Sequence, residues 1–447
     1  KVTHVLARYR WQARLAEQGY SDKQLAEITR VLNVITACRT GKLGSHLFTC
    51  RGCQRTVLGL DKCGNRHCTS CSEARRNQWR SDLTEWSLAC DYWHSVFTLA
   101  HELNPLMRAN PRETYTLLLS CARETLTRRL GRQMDCKPGI VMTLHTWGQL
   151  MNAHIHVHVI VTAGGLSSDG QRWVPIPAGH PVMDEVSLAA DFKQMYLRRL
   201  RFRLRRDALR WPGQVDQVDS DPSDAQASPS AADRLDSDWL DSEVSSTDCL
   251  ESQAEPAVVD ELADEVAAVA KPNKLGRSPV RELTADEQQL MDVIEKKRWK
   301  VHCLPTPPEH QGAAAIVNYL AAYVSGTAIG NSRLISDDGV NVTFRYKDYR
   351  TNEIKPLTLP GPEFVQRFCE HILPPLMLRV RYCGLFATDG RAARLEHCRT
   401  LIDPAAAATS DATSQDLSDG PELLRSADEE ADDEDEGIVP SGCVCRS

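Results

Sequence analysis

Apolar residues recur every three to four positions through the first 37 residues, at Leu15, Leu25, Ile28, Leu32 and Ile35. That is the period of a helix burying one face. Further along, the period changes. "WHSVFTLAH" (93–101), "GIVMTLHTW" (139–147) and "NAHIHVHVIV" (152–161) have the length and composition of strands. The short link Gln149–Ala153 makes the last two an antiparallel hairpin. Helical patterns occupy the basic segments 111–131 and 188–211, the second containing "YLRRLRFRLRR". After residue 271 the pattern predicts order over 272–300 and an Ala-rich helix, "AAAIVNYLAAYVSG" (313–326). A hairpin from "NVTFRYKDYR" and "EIKPLTL", a helix "EFVQRFCEHIL" and a strand "LRVRYCGLF" follow. Short strands mixed with separate helices define an α+β core, an antiparallel sheet flanked by helices.

Two stretches have neither period. Residues 214–270 and the tail 404–447 are rich in Ser, Asp and Ala, and poor in aromatics. Such compositions cannot bury enough apolar surface to order a chain and predict a disordered insert and tail. The chain therefore divides into a helical and cysteine-rich module (1–85), a first core part (86–213), the acidic insert (214–270), a second core part (271–403) and the acidic tail (404–447).

Charge sharpens this division. Residues 1–213 hold 31 Lys/Arg against 17 Asp/Glu, and 271–403 hold 19 against 15. The insert holds 1 against 16 and the tail 2 against 12, so the net charge of −7 hides a basic body. A basic body is the footprint expected for nucleic acid. No run of about 18 apolar residues is present, which excludes a membrane-spanning helix. Without a signal peptide, the expected compartment is the cytoplasm.

Six of the 16 cysteines fall between Cys38 and Cys71. "CRGC" (Cys50, Cys53) and "CTSC" (Cys68, Cys71) are two knuckles with the spacing of a closed, structural zinc site. Cys38, His46, Cys63 and His67 are further ligand candidates, as substitutes or for a second ion. The surrounding Arg66, Arg75 and Arg76 suit DNA phosphates.

In "NAHIHVHVIV" a strand would put His154, His156 and His158 on one face. Such a row is either a wet polar face or a metal site. A catalytic metal needs few protein ligands, so two of these histidines and one neighbour suffice. Gln149 and His145 are the candidates for the third. Tyr319 and Tyr323, four apart on the helix expected at 313–326, share one face. A phenol can attack a phosphate held in line by a metal, and two phenols allow two successive attacks.

"CRTGKLGSHLFTC…NRHCTSC", "TWGQLMNAHIHVHVIVTAGGLS", "YLAAYVSGTAIGNSRL", "VTFRYKDYR" and "HILPPLMLRVRYCGLF" together resemble the transposases of the insertion-sequence-91 type. That family joins an N-terminal zinc module to a two-tyrosine HUH endonuclease (His-hydrophobic-His). The resemblance spans nearly all of 30–400 outside the insert. It implies that His156 and His158 hold Mg²⁺ or Mn²⁺, with Gln149 as third ligand by analogy with related HUH enzymes. It also implies that Tyr319 and Tyr323 are the nucleophiles. Arg333, Arg345 and Lys347, in its shared segments, are expected to contact DNA. The implied activity is nicking and joining of single-stranded DNA at element ends through 5′-phosphotyrosine links, in rolling-circle-type transposition. With no G-x4-G-K-[ST] loop in the chain, a helicase would come from the host. Where the family shows a His-Arg pair after the second tyrosine, this chain has Ser325-Gly326. A rolling-circle replication initiator and a non-catalytic, zinc-dependent DNA-binding protein are the alternatives.

Overall fold

A computed structural model describes residues 1–212, 280–305 and 326–403. The acidic segments and Tyr319, Tyr323 and Ser325 lie outside the described residues.

The N-terminal run expected to be helical forms three helices, α1 (Val2–Arg8), α2 (Gln12–Glu17) and α3 (Asp22–Thr36). Gly19 turns the chain at φ 85°, and Ser21 restarts it with a capping box. Ser21 Oγ accepts the Gln24 N–H, and Gln24 Oε1 accepts the Ser21 N–H at 2.9 Å. The cysteine-rich segment then forms a hairpin, β1 (Ser45–Thr49) and β2 (Thr56–Leu60), and leads into α4 (Ser72–Trp86).

The core follows as β3 (Tyr92–Thr98), α5 (Asn104–Ala109), α6 (Pro111–Met134), β4 (Cys136–Trp147), β5 (Ala153–Ser167), β6 (Trp173–Pro175) and α7 (Glu185–Leu204). It continues with α8 (Ala285–Lys296) and β7 (Lys300–Pro305). Next come β8 (Leu334–Asp337), β9 (Asn341–Asp348), β10 (Glu353–Pro360), α9 (Gly361–Cys369), β11 (Val380–Gly384) and α10 (Arg391–Ile402). The main sheet has the order β11-β4-β5-β3-β7, with β6 on β5, and its strand pairs are antiparallel. The α+β class with an antiparallel sheet is therefore what the chain forms.

Alternation gives this sheet two different faces. On one, Phe97, Met142, Leu144, Val157 and Val159 are buried against Leu118 and Leu126 of α6 and Phe192 and Leu200 of α7. Burying each such side chain contributes about 1.5–3 kcal/mol, which makes this the rigid floor of the fold. The register opposes His145 and Thr98 to His156, and Thr143 and Val96 to His158, so the histidines take the other face. Part of that face is sealed by Trp79 and Leu83 of α4 and Leu395 of α10, which pack on Val141 and Ile160. Glycines allow the backbones to close up around β4. A Cβ on Gly384, at φ 61°, would lie 1.9 Å from the Pro138 carbonyl oxygen. One on Gly165 would lie 2.4 Å from that of Lys137.

A second sheet, β10-β9-β8, supports the N-terminus. Val342, Phe344 and Leu359 share a core with Phe364 and Phe368 of α9 and with Val5, Leu15, Ile28 and Ile35 of α1–α3. Tyr9 Oη donates to Asp337 Oδ1 at 2.6 Å, and Arg14 Nε to Gln366 Oε1 at 2.6 Å. Residues assigned by sequence to separate modules, 1–85 and 271–403, thus bury one another.

Candidate functional site

β4 and β5 bring His145, His156 and His158 together, with one ligand nitrogen of each within 4.8 Å of the others. All three residues are less than a tenth exposed. The Nε2 atoms of His156 and His158 are 3.1 Å apart. Two adjacent ligands of an octahedral ion with bonds of about 2.1 Å would be about 3.0 Å apart, so the spacing suits one. His156 Nδ1 donates to its own strand's His154 carbonyl at 2.8 Å, which leaves the Nε2 lone pair facing the cluster. His158 Nδ1 lies 2.9 Å from His94 Nε2 on β3, with the two rings stacked. Burial pushes His156 down to about 4 and His158 down to about 2, helped by the neighbouring histidines, so both rings are neutral at physiological pH. Neutral, converging and dry, this donor set fits a divalent cation.

The third imidazole of the cluster is His145, and Gln149 is placed apart from it. A bulge between His145 and Trp147 ends the regular pairing, and Gln149 falls in the turn beyond it. Its side-chain amide donates to Tyr349 Oη at 3.1 Å, and its Oε1 accepts the Lys347 N–H at 3.4 Å. His145 instead stands opposite His156, with Trp147 stacked on it at 4.8 Å. His94 escaped sequence reasoning because a lone histidine in "DYWHSVF" carries no pattern. Only the sheet order places β3 beside β5.

The four sulfurs that converge are Cys38, Cys63, Cys68 and Cys71, all within 4.8 Å of one another. The Cys38 and Cys71 sulfurs are 3.6 Å apart, and those of Cys63 and Cys71 are 3.8 Å apart. A tetrahedron with Zn–S bonds of about 2.3 Å has edges of about 3.8 Å. Hydrogen bonds from Cys63 and then Cys68 hold the Cys71 thiol well below the usual range, toward the thiolate that zinc binds. The expected set Cys50, Cys53, Cys68 and Cys71 is thus half corrected. The second knuckle stays, while Cys50 and Cys53 lie at the far end of the β1–β2 hairpin. Its five paired rows set them roughly 14 Å from the base, where Cys38 and Cys63 meet.

Neither further histidine candidate joins this cluster. His46 Nδ1 is 2.7 Å from Asp61 on the exposed hairpin. His67 is half-buried, and its Nε2 accepts the Leu373 N–H at 3.3 Å. The expected DNA contacts divide similarly. Arg345 and Lys347 are exposed on β9, and Arg75 is exposed on α4. Arg333 is pinned by the Arg345 and Gln149 carbonyls, and Arg66 by those of Pro374 and Met377. Arg76 is half-buried on α4.

Comparisons with known proteins give the chain a family. Residues 139–394 fit the family model described as "Putative transposase", and residues 8–99 that of the transposase zinc-binding domain. These two matches define a DNA-transposing protein with a zinc-binding domain at its N-terminal side. The Sinorhizobium fredii protein named "Putative transposase y4qJ" is 26% identical over 405 residues, 90% of this chain and 84% of that protein. The transposase for insertion sequence element IS801 of Pseudomonas savastanoi pv. phaseolicola is 26% identical over 380 residues, 84% of this chain and 73% of its own. No solved structure matches the chain. The chain belongs to the transposases of the insertion-sequence-91 type. Among the described residues, no helix is long and apolar enough to cross a membrane.

Proposed function

We propose that this transposase cuts and joins single-stranded DNA at the ends of its element by HUH chemistry, in rolling-circle-type transposition on the bacterial nucleoid. The reading is carried by one observation: two buried, neutral imidazoles of a His-Val-His strand present their Nε2 atoms 3.1 Å apart. His156 and His158 would hold Mg²⁺ or Mn²⁺, with His145 as the third protein ligand. When bound, that cation withdraws charge from the scissile phosphate. The His154 carbonyl and His94 fix the two ring orientations. Tyr319 or Tyr323 attacks phosphorus through its phenolic oxygen, and the 3′-oxygen leaves as a free hydroxyl. The phosphodiester bond is exchanged for a 5′-phosphotyrosine, so its energy is kept for rejoining. The second tyrosine serves the second cut. Strand separation falls to a host helicase or replication proteins. The cysteine cluster holds structural zinc and takes no part in the chemistry.

The test is a covalent one. Protein is incubated with Mn²⁺ and a labelled pool of single strands, and adducts surviving denaturation are counted. The expected adduct disappears in Tyr319→Phe or Tyr323→Phe and in His156→Ala. Binding without an adduct in the unmodified protein would leave only a DNA-binding role.

A further inference from the structure

Where the histidine face ends at Trp147 it meets the zinc module through four arginines. Arg66, between Cys63 and Cys68, donates to the carbonyls of Pro374, at 2.8 Å, and Met377. Arg112, in the first turn of α6, donates to that of Pro375. Arg75 on α4 donates to that of Gly64. Arg379, entering β11, donates Nε–H to the Leu144 carbonyl at 3.2 Å and lies over the Trp147 ring at 4.7 Å. Among the described residues these partners are neutral. Burial, and then Arg66 and Arg75, push Arg379 down to about 9, so it remains a cation at neutral pH beside other cations.

The Arg379 side chain has one more donor than the fold uses. Its Nη2 is buried and has no hydrogen-bond partner among the described residues. A buried cationic N–H left unmade is costly, and native structures rarely keep one without a use. The Arg379 side chain lines, with Arg66, Trp147, Thr327 and His371, a narrow cleft of about 10 Å³. That is room for roughly one oxygen atom. Trp147 also stacks on His145, so a single side chain separates Arg379 from the histidine cluster.

We propose that Arg379, with Arg66 and Arg75 near it and Arg112 bound to the same 374–377 turn as Arg66, binds a backbone phosphate of the DNA strand beside the histidine cluster, taking one anionic oxygen at Nη2. The proposal rests on the single-strand reading above and deepens it. The zinc loop contributes Arg66 and the helix after it Arg75, so the two modules build this site jointly. A guanidinium suits the task because its planar fork keeps one edge for the fold and offers another to the phosphate.

The experiment titrates full-length protein, without added Mn²⁺, against a fluorescent dT20 strand over a range of salt. Arg379→Gln should bind about tenfold more weakly near 0.1 M salt, and its log K against log salt should be shallower by about 0.7, one phosphate contact on a single strand. Arg379→Lys should keep the slope. Zinc content and Mn²⁺ affinity, read by electron paramagnetic resonance, should not change in either variant. An unaltered slope in Arg379→Gln, or equal loss in Gln and Lys, would make the residue a structural brace and overturn the site. If the unmodified protein shows no salt-dependent binding, the DNA reading fails as well. Should Arg379→Gln not fold, Arg112→Gln at the exposed rim carries the same slope test, and no change there refutes the site.

Discussion

Cys38→Ala separates the two four-sulfur assignments. Cys38 Sγ stands 3.6 Å from Cys71 Sγ and accepts the Cys63 N–H at 3.4 Å, so it binds the cluster from two sides. A structural zinc site contributes about 10–16 kcal/mol, or about 3 kcal/mol for each of four ligands. Losing one should weaken zinc binding by roughly a hundredfold or more. The loss should spread, because Cys38, Cys68 and Cys71 lie in one core with Ile35, Phe344 and Phe364. A chromophoric chelator competes for zinc in the purified protein, and circular dichroism follows melting. Cys38→Ala should surrender zinc to the chelator and melt earlier. The double variant Cys50→Ala, Cys53→Ala, at the far end of an exposed hairpin, should hold the zinc as the unmodified protein does. The reverse pattern would refute the geometric reasoning and restore the knuckle pairing.

His145→Ala should weaken Mn²⁺ binding at least about tenfold by electron paramagnetic resonance, whereas Gln149→Ala should leave it within about twofold. Equal losses would mean both side chains reach the ion. Glu287 gives a pH signature away from either site. Its carboxylate accepts both Arg281 Nη1 and Nη2 at 2.7 Å and caps α8 through the Thr284 N–H at 2.8 Å. Arg281 holds its pKa below the ordinary 4.5, so its contribution is complete above 4.5 and lost as pH falls through the lower folded value. Glu287→Gln should cost about 2 kcal/mol at pH 7. The gap from the unmodified protein should close in acid, and a gap in chemical-denaturation midpoints independent of pH would count against the pair.

Much of the site was legible because its chemistry is local. Alternation alone puts His156 and His158 on one face, and "CTSC" alone presents two thiolates. Periodicity likewise located β3, α6, β4 and the β9–β10 hairpin to within a few residues, while β5 runs on to Ser167 beyond the expected 161 and α7 stops at Leu204 short of the expected 211. The remainder depends on long-range packing. Cys38 and Cys63 are 25 residues apart with no knuckle between them, and meet only because the base of the β1–β2 hairpin closes, with the Arg39 N–H donating to the Asp61 carbonyl at 3.0 Å. Gln149 is a ligand candidate by analogy with related HUH enzymes, but the bulge after His145 turns it toward Tyr349. The shared core of α1–α3 and β8–β10 has no signature in either segment, since each reads as an ordinary amphipathic element. Gly165 and Gly384 were visible only as letters of "GGLS" and "YCGLF". Their necessity lies in carbonyls that approach from β4.

That shared core also sets a timetable for synthesis. Helices α1–α3 leave the ribosome early, but the sheet that seals them begins at Leu334. At about 5–20 residues per second, the interval is roughly 15–60 s. Until then the apolar side of Val5, Leu15 and Ile28 lacks the cover that Val342, Phe344 and Phe364 give it. A chain that stops before Leu334 therefore has a cysteine cluster without its supporting wall.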